Sequence, residues 1–389
     1  MKGLICKNFN QTLIHTGGGG VTHMSSKKPF LSLVCILALT CASQASNQVT
    51  AKWERNDAIK QEASFNPANG ALNLNRFPNN PYKTVEFIFG SNVSGTLGVN
   101  LYDGMNMGDM TITSKKTSGD ATTNLSLNNA SMKTLTVGEK NTINITIQNA
   151  SDKIETIDNK GTMTINNKGQ TITTLTNTGG TIDNKSGSIT TLTSNQGGNI
   201  TNAGTITSLT YKAAPTTKAI QTKASTDSIT NTGTITTFTN NGGHITNNGN
   251  ITNLTNSNGN VNNQSGTITT FNNTGGNVNN SANIQTYTQE SGNTMQSGGT
   301  IQTLTQKGGN FTYQGGTIGS LKQEGGSFNN LQNISLFTTQ GGSLNNYQGT
   351  IENLKITSGD FELNNMQQGR IANIEIGGNG KININDNMN

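Results

Sequence analysis

The 389-residue sequence has only three cysteines, and Cys6, Cys35 and Cys41 all lie within its first 45 residues. Beyond them the chain has no thiol for a disulfide or a thiolate metal site. It also has a single histidine there, His244. The usual zinc sites need several Cys or His ligands, so they are excluded, and no cofactor is expected. Stabilisation must therefore come from another source, such as repeated stacking of similar units.

Charged residues are also few, at 12% of the chain. The formal net charge of +5 comes mostly from the first 45 residues, which contain four lysines and no acidic residue. Beyond them, 21 basic residues face 20 acidic ones. A nearly neutral chain lacks the basic surface on which nucleic-acid binding depends, so no nucleic-acid partner is predicted.

Long hydrophobic runs are absent except for one of ten residues, from Phe30 to Leu39. Lys27 and Lys28 precede it, and the small residues Ser43 and Ala45 follow it. The run is too short to span a membrane, and the pattern is typical of a secretory signal peptide. We interpret residues 1–45 as a leader and signal peptide. The sequence therefore predicts an exported protein, at the cell surface or outer membrane or outside the cell.

What the chain does have is a repeat, from about residue 132 to residue 384. An apolar residue, two polar residues and a second apolar residue recur every 16 or 17 residues, as at Ile251-Thr-Asn-Leu254 and Ile268-Thr-Thr-Phe271. Such a constant period indicates a repeat architecture. A third apolar residue usually follows a Gly-rich bend, as at Ile182 and Met295. Three apolar positions per repeat are too sparse for an amphipathic helix, whereas Thr favours strands and Gly and Asn favour bends.

We therefore predict an all-β fold, a parallel β-solenoid of about 14 coils. One apolar residue should point inward from each side of a coil. The representative inward positions are Ile172, Leu175, Ile182, Ile189, Leu192, Ile235, Phe238, Ile251, Leu254, Ile268, Phe271, Ile301, Leu304, Ile318 and Leu321.

Amide side chains recur two residues after the apolar positions. Stacked like amides can donate to one neighbour and accept from the other, which predicts hydrogen-bonded ladders at the bends. A polar binding row is the alternative interpretation. The residues concerned are Asn184, Asn202, Asn247, Asn263, Asn280, Gln289, Gln306 and Gln323.

Two stretches depart from the repeat. Residues 46–131 contain the only Trp and three of the five prolines, and we predict an N-terminal cap with irregular first rungs, or alternatively a separate small domain. Within the array of residues 132–389, an insertion at 211–228 lengthens one repeat. Its lysines Lys212, Lys218 and Lys223 make it a candidate interaction loop, with a neutral spacer as the alternative.

Carboxylates that could catalyse a reaction are scattered over different repeats. Asp183, Glu290 and Glu324 are examples, each in a different repeat. Glycosidic chemistry needs a close pair of carboxylates. The sequence therefore predicts a protein that is not an enzyme.

The repeats resemble those in passenger regions of Gram-negative autotransporters, in particular the vacuolating-cytotoxin-like family with its Gly-Thr-Ile-x-x-Leu-x-Asn-x-Gly-Gly runs. Matching stretches are 170–180, 187–193, 233–243 and 299–309. The resemblance covers about residues 130–384. It implies a right-handed β-helix that is displayed or secreted and contacts host cells. No stretch matches the family's C-terminal translocator barrel, so the resemblance implies that this barrel belongs to the intact gene product and that the reading frame is truncated or split.

The leading functional hypothesis is a non-enzymatic passenger that acts as a spacer and adhesin, with host-cell or other cell surfaces as its partner. Copies could also associate end to end. One alternative is an ice- or crystal-binding solenoid that uses the Thr-x-Thr rows, for example Thr171 to Thr173 and Thr234 to Thr236. A second alternative is a polysaccharide-active β-helix enzyme.

Overall fold

A computed structural model of the protein describes residues 48–55, 60–65, 72–74, 82–91, 93, 96–102, 106–116, 119–149, 152–167, 171–214, 227–364 and 366–385. All of them belong to one compact unit, Leu37–Asn389. The predicted signal peptide, residues 1–45, lies outside the described residues. So do Lys218 and Lys223 of the insertion.

The described residues form 33 strands and no helix. The strands up to residue 150 are β1 (Val49–Arg55), β2 (Lys60–Phe65), β3 (Leu72–Leu74), β4 (Tyr82–Phe89), β5 (Thr96–Tyr102), β6 (Asn106–Ser114), β7 (Ala121–Asn128), β8 (Ser131–Val137) and β9 (Asn141–Ile147). Those up to residue 247 are β10 (Lys153–Asn159), β11 (Thr162–Asn167), β12 (Thr171–Asn177), β13 (Thr181–Asn184), β14 (Ser188–Ser194), β15 (Ile200–Asn202), β16 (Thr205–Lys212), β17 (Ser228–Asn231) and β18 (Thr234–Asn247).

The remaining strands lie between residues 250 and 384. They are β19 (Asn250–Asn263), β20 (Thr267–Asn273), β21 (Asn277–Asn280), β22 (Asn283–Gln289), β23 (Asn293–Gln296), β24 (Thr300–Gln306), β25 (Asn310–Tyr313), β26 (Thr317–Gln323), β27 (Ser327–Asn330), β28 (Ile334–Thr339), β29 (Gly342–Asn346), β30 (Thr350–Ile356), β31 (Asp360–Asn364), β32 (Arg370–Ile376) and β33 (Lys381–Ile384).

These strands build a parallel β-solenoid of about 14 turns, as the repeat predicts. From β12 onward most coils contain a longer and a shorter strand, and from β3 onward each strand pairs in parallel with its counterpart in the next coil. Thus β20 pairs with β22, and β21 pairs with β23. In β18 and β19 the two strands of a coil are continuous.

A bend in each longer strand explains the apolar-polar-polar-apolar motif. In the pairing of β10 with β12, Ile154 pairs with Ile172 and Thr156 with Thr174, while Thr173 between them is unpaired and exposed. Two successive side chains therefore point outward before the next one points inward. This bend and the shorter strand divide each coil into three sides.

The core is a column of side chains that stack from coil to coil. All of the representative inward residues except Ile318 are buried, and Ile318 is only partly buried against the core. The pairing of β26 with β28 begins only at Leu321, so Ile318 has no partner in β28. Together with the small side chain of its neighbour Gly319, this leaves that side of the coil more open. From Phe271 to Phe361 aromatic rings contact one another within the core. Phe311 and Phe328, for example, stack with ring centroids 5.2 Å apart.

One position in the core differs from the repeat pattern. The sequence assigns the third apolar position of its repeat to Met295, but Met295 points outward and is 36% exposed. Thr294 takes the inward position, in register with Val278 and Phe311. Its hydroxyl is 2.5 Å from the hydroxyl of Tyr287. Because a buried phenol needs a hydrogen-bond partner, Thr294 suits this coil better than a thioether would.

The N-terminal segment continues the same sheet. Parallel pairing begins with β4 and β6 and with β3 and β5, ahead of the repeat that the sequence reveals. Strand β1 runs antiparallel to both β2 and β4. It therefore covers the edge that β4 would otherwise expose, which is how natural sheets protect an edge from unwanted pairing.

Candidate functional site

Amide side chains form a continuous ladder inside the coils. Each side-chain nitrogen donates to the side-chain oxygen one coil further on, over distances of 2.6–2.9 Å. The members are Asn184, Asn202, Asn231, Asn247, Asn263, Asn280 and Gln296, all fully buried. We call this set the inner ladder. Asn231 and Gln296 were missing from the predicted set, although both stand two residues after an inward position.

The column of amides that contains the predicted residues Gln289, Gln306 and Gln323 is only partly a ladder of this kind. Asn240 donates to Asn256 and Asn256 to Asn273, each over 2.8 Å. In contrast, Gln289, Gln306 and Gln323 do not bond to one another, so the prediction of a glutamine ladder is wrong. Their nitrogens donate instead to backbone carbonyls, including Gly292, Gly309 and Gly326.

The extra methylene of glutamine explains the difference. It carries the amide past the bend, where the carbonyls of its own coil and of the next one lie within reach. Gln289, for example, donates to Gly292 and Asn310 over 3.0 Å each. Its side-chain oxygen is then left without a protein partner among the described residues.

A further amide row lies on the outer surface, on the shorter strands. Asn260 Nδ2 is 3.0 Å from His244 Nδ1. Asn277, Asn293 and Asn310 each donate to the preceding member over 3.0–3.1 Å. We call these five residues the groove row. Unlike the inner ladder, the row is solvent-accessible, and it was not predicted because its residues were assigned only to bends.

A column of glycines positions the groove row. Each member directly follows a glycine, such as Gly276 before Asn277 and Gly292 before Asn293. Both glycines have positive φ, of 81° and 80°. A Cβ at either would overlap the carbonyl oxygen of the glycine one coil earlier. Only glycine permits this close stacking, which sets the asparagines directly above one another.

Together the groove row and its neighbours line an open groove of about 700 Å³. A second outward row runs beside the first, two residues further along each strand, and consists of Thr246, Asn262, Asn279, Met295 and Thr312. Gln314 completes one end. Uncharged amides and hydroxyls dominate the lining. The ring of His244 is its only titratable group, and Met295 is its one exposed apolar side chain.

The other predicted candidates lie apart from this groove. Lys212 is exposed at the end of β16. Glu324 forms an ion pair with Lys322 at 2.6 Å, and Asp183 approaches Lys185 at 3.9 Å. Within the described part of the chain, no group of three or more His, Cys, Asp or Glu residues is placed to hold a metal ion. Nor does that part contain a helix long and apolar enough to cross a membrane.

Comparison with known proteins does not assign this chain to a family. No family model, curated protein or solved structure matches this chain.

Proposed function

We propose that this chain is a non-enzymatic passenger of the autotransporter type, displayed on the cell surface or secreted, which acts as a spacer and adhesin. The observation that carries the proposal is the extended groove of uncharged, hydrogen-bonding side chains on an uninterrupted stack of coils. Stacked coils can present a binding surface along the stack, as repeat proteins commonly do. The leader-like residues 1–45 and the autotransporter-like repeats support export.

Binding of the purified full chain to cultured animal cells tests the adhesin proposal. We expect saturable binding that excess unlabelled chain competes away. The heat-denatured chain is the control, since it has the same composition without the stacked surface. Binding that does not saturate, or that survives denaturation, would count against an adhesin.

A second candidate is ice or crystal binding, which the outer threonines favour. Exposed threonines occupy one position in five successive coils, namely Thr173, Thr190, Thr207, Thr236 and Thr252. Such a row repeats hydroxyls at the spacing of the strands, about 4.8 Å. Thermal hysteresis of the full chain would support this candidate if it disappeared in the Thr207→Lys, Thr236→Lys variant. If the unmodified chain showed no thermal hysteresis, ice binding would be excluded.

A further inference from the structure

The groove row has unused hydrogen-bonding capacity that faces outward. A primary amide has two donor hydrogens and two acceptor lone pairs. Asn277 uses one hydrogen on Asn260 and one lone pair on Asn293, and Asn293 is placed in the same way between Asn277 and Asn310. One N–H and one lone pair per coil therefore remain for a ligand. Since the ladder holds each amide in one orientation, these groups are ordered before anything binds.

The spacing of these groups excludes some ligands. They recur once per coil, about 4.8 Å apart along the stack. A peptide strand lying along the row would advance about 3.3 Å per residue and soon lose register. A nucleic acid advances about 3.4 Å per nucleotide, and it needs cationic side chains for its phosphates. No lysine or arginine lines the groove.

The chemistry of the lining favours a neutral polyol. A free N–H beside a free carbonyl lone pair matches a pair of adjacent sugar hydroxyls, one accepting and one donating. Met295 adds an adaptable apolar contact of the kind that the C–H face of a sugar ring accepts. In an extended chain of pyranose sugars, successive rings advance by close to the distance between coils.

We propose that this groove binds an unbranched, neutral polysaccharide that runs along the stack with one sugar ring for each member of the groove row. The inference rests on the proposed adhesin function and names its ligand class. The ring of His244 and the amide of Asn310 mark the two ends of the site. Met295 lies one position beyond Thr294, in the same strand as Asn293, so it contacts the ring that this asparagine binds.

The test is titration of the full chain with linear β-1,4-linked glucose and N-acetylglucosamine oligosaccharides of increasing length. We expect affinity to rise with each ring up to about five rings and then level off, because the groove row has five members. An acidic polysaccharide, a single-stranded DNA and a lipid vesicle are the comparison ligands. Tighter binding of any of these, or no dependence on oligosaccharide length, would overturn the proposal.

Matched variants locate the site. Asn277→Ala with Asn293→Ala should weaken oligosaccharide binding about tenfold or more, through the loss of two amide contacts. Asn241→Ala with Asn253→Ala removes two other exposed asparagines, outside the groove, and should leave binding unchanged. All four side chains are exposed, so we expect both variants to fold, and circular dichroism should be used to check this. Equal weakening in the two variants would overturn the assignment.

Competition on cells separates this proposal from the function on which it rests. If the long oligosaccharide displaces the chain from cells, both are supported. If the chain binds cells but not oligosaccharides, the polysaccharide inference fails and the adhesin proposal stands. If it binds oligosaccharides in solution but not cells, the groove assignment stands and the adhesin proposal fails.

Discussion

At the scale of single residues, neighbours along a strand have opposite environments. Ile251 is 1% exposed and packs in the core, whereas Thr252 beside it is exposed. In strand β30 the position equivalent to Thr252 holds Glu352, and that carboxylate is also exposed. The outward position therefore tolerates a charge, and the inward one should not.

We expect Ile251→Asp to destabilise the protein by several kcal/mol, because it places an unpaired carboxylate in the core. Thr252→Asp should stay within about 0.5 kcal/mol of the unmodified protein, as surface changes usually do. Thermal melts followed by circular dichroism compare the two. Similar losses in both variants would contradict the assignment of inward and outward positions.

Buried tyrosines give the protein a sensitivity to alkaline pH. Burial raises the pKa of Tyr287, and hydrogen bonds with Thr294 and Asn273 oppose this only in part. Burial likewise raises the pKa of Tyr211, to which the charge of Asp227 adds, and of Tyr313. In an unfolded chain the pKa of tyrosine is about 10. A native state that holds its phenol protons more tightly is therefore fully stabilised below about pH 10 and loses stability as pH rises from there towards the folded pKa.

Tyr287→Phe should flatten this decline. The variant loses the bond to Thr294, so it should be less stable than the unmodified protein at pH 7. Between about pH 9 and pH 11, however, its melting temperature should fall less steeply. The comparison uses the slope of melting temperature against pH. The slope is unaffected by the loss of stability that the substitution causes equally at every pH. Parallel slopes would mean that Tyr287 does not contribute to the pH dependence.

At the scale of the strand and the coil, the sequence predicts much of the fold. The period, the inward apolar positions and the asparagine ladder all follow from residue spacing, because each coil repeats the same environment. The structure differs from the prediction where two local interactions compete, and residue spacing alone does not show which of them prevails. Thr294 displaces Met295 from the core because the hydroxyl of Tyr287 needs a partner, and the reach of Gln289 redirects its amide to the backbone.

The candidate groove was harder to predict for a different reason. Asn277 and Asn293 appear in the sequence as ordinary bend residues after glycine. Their bonding to each other depends on the glycines that stack beneath them, as at Gly276. Only the register of β21 with β23 shows that these side chains form one row along the outside of the stack.

The inner ladder should contribute strongly to stability. Asn247 donates to Asn263 over 2.9 Å and to the carbonyl of Gly249 over 3.1 Å, and it accepts from Asn231. We expect Asn247→Asp to cost several kcal/mol at pH 7, because a carboxylate cannot donate and its charge would be buried. The loss should shrink near pH 4, where protonation restores one donor.

Asn253→Asp is the matched control for this variant. Asn253 is exposed on β19, the same strand that contributes Asn263 to the ladder. The same chemical change there should alter stability by no more than about 0.5 kcal/mol. Chemical denaturation at the two pH values measures both variants. If Asn247→Asp lowered the free energy of unfolding no more than the control does, the inner ladder would not contribute to stability as we expect.

At the scale of the whole stack, each coil is stabilised mainly by the coils on either side. In such quasi-one-dimensional proteins, stability is roughly the sum of coil and interface contributions. Coils in the middle, such as that of β20, are paired on both sides. Among the described residues, β32 pairs only with β30 and β33 only with β31. Their apolar side chains are accordingly open, with Ile374 48% and Ile384 55% exposed.

Hydrogen exchange of the full chain should therefore show a gradient along the stack. We expect the amides of β20 to β24 to be the most protected and those of β32 and β33 to exchange much faster, since local opening there breaks one interface instead of two. A dilution series distinguishes two origins of any protection in the last strands. Protection that increases with protein concentration would indicate end-to-end association, in which a second copy covers Ile374 and Ile384. Uniform protection at every concentration would contradict the nearest-neighbour account, because the last coil would then be as stable as the middle without a second interface.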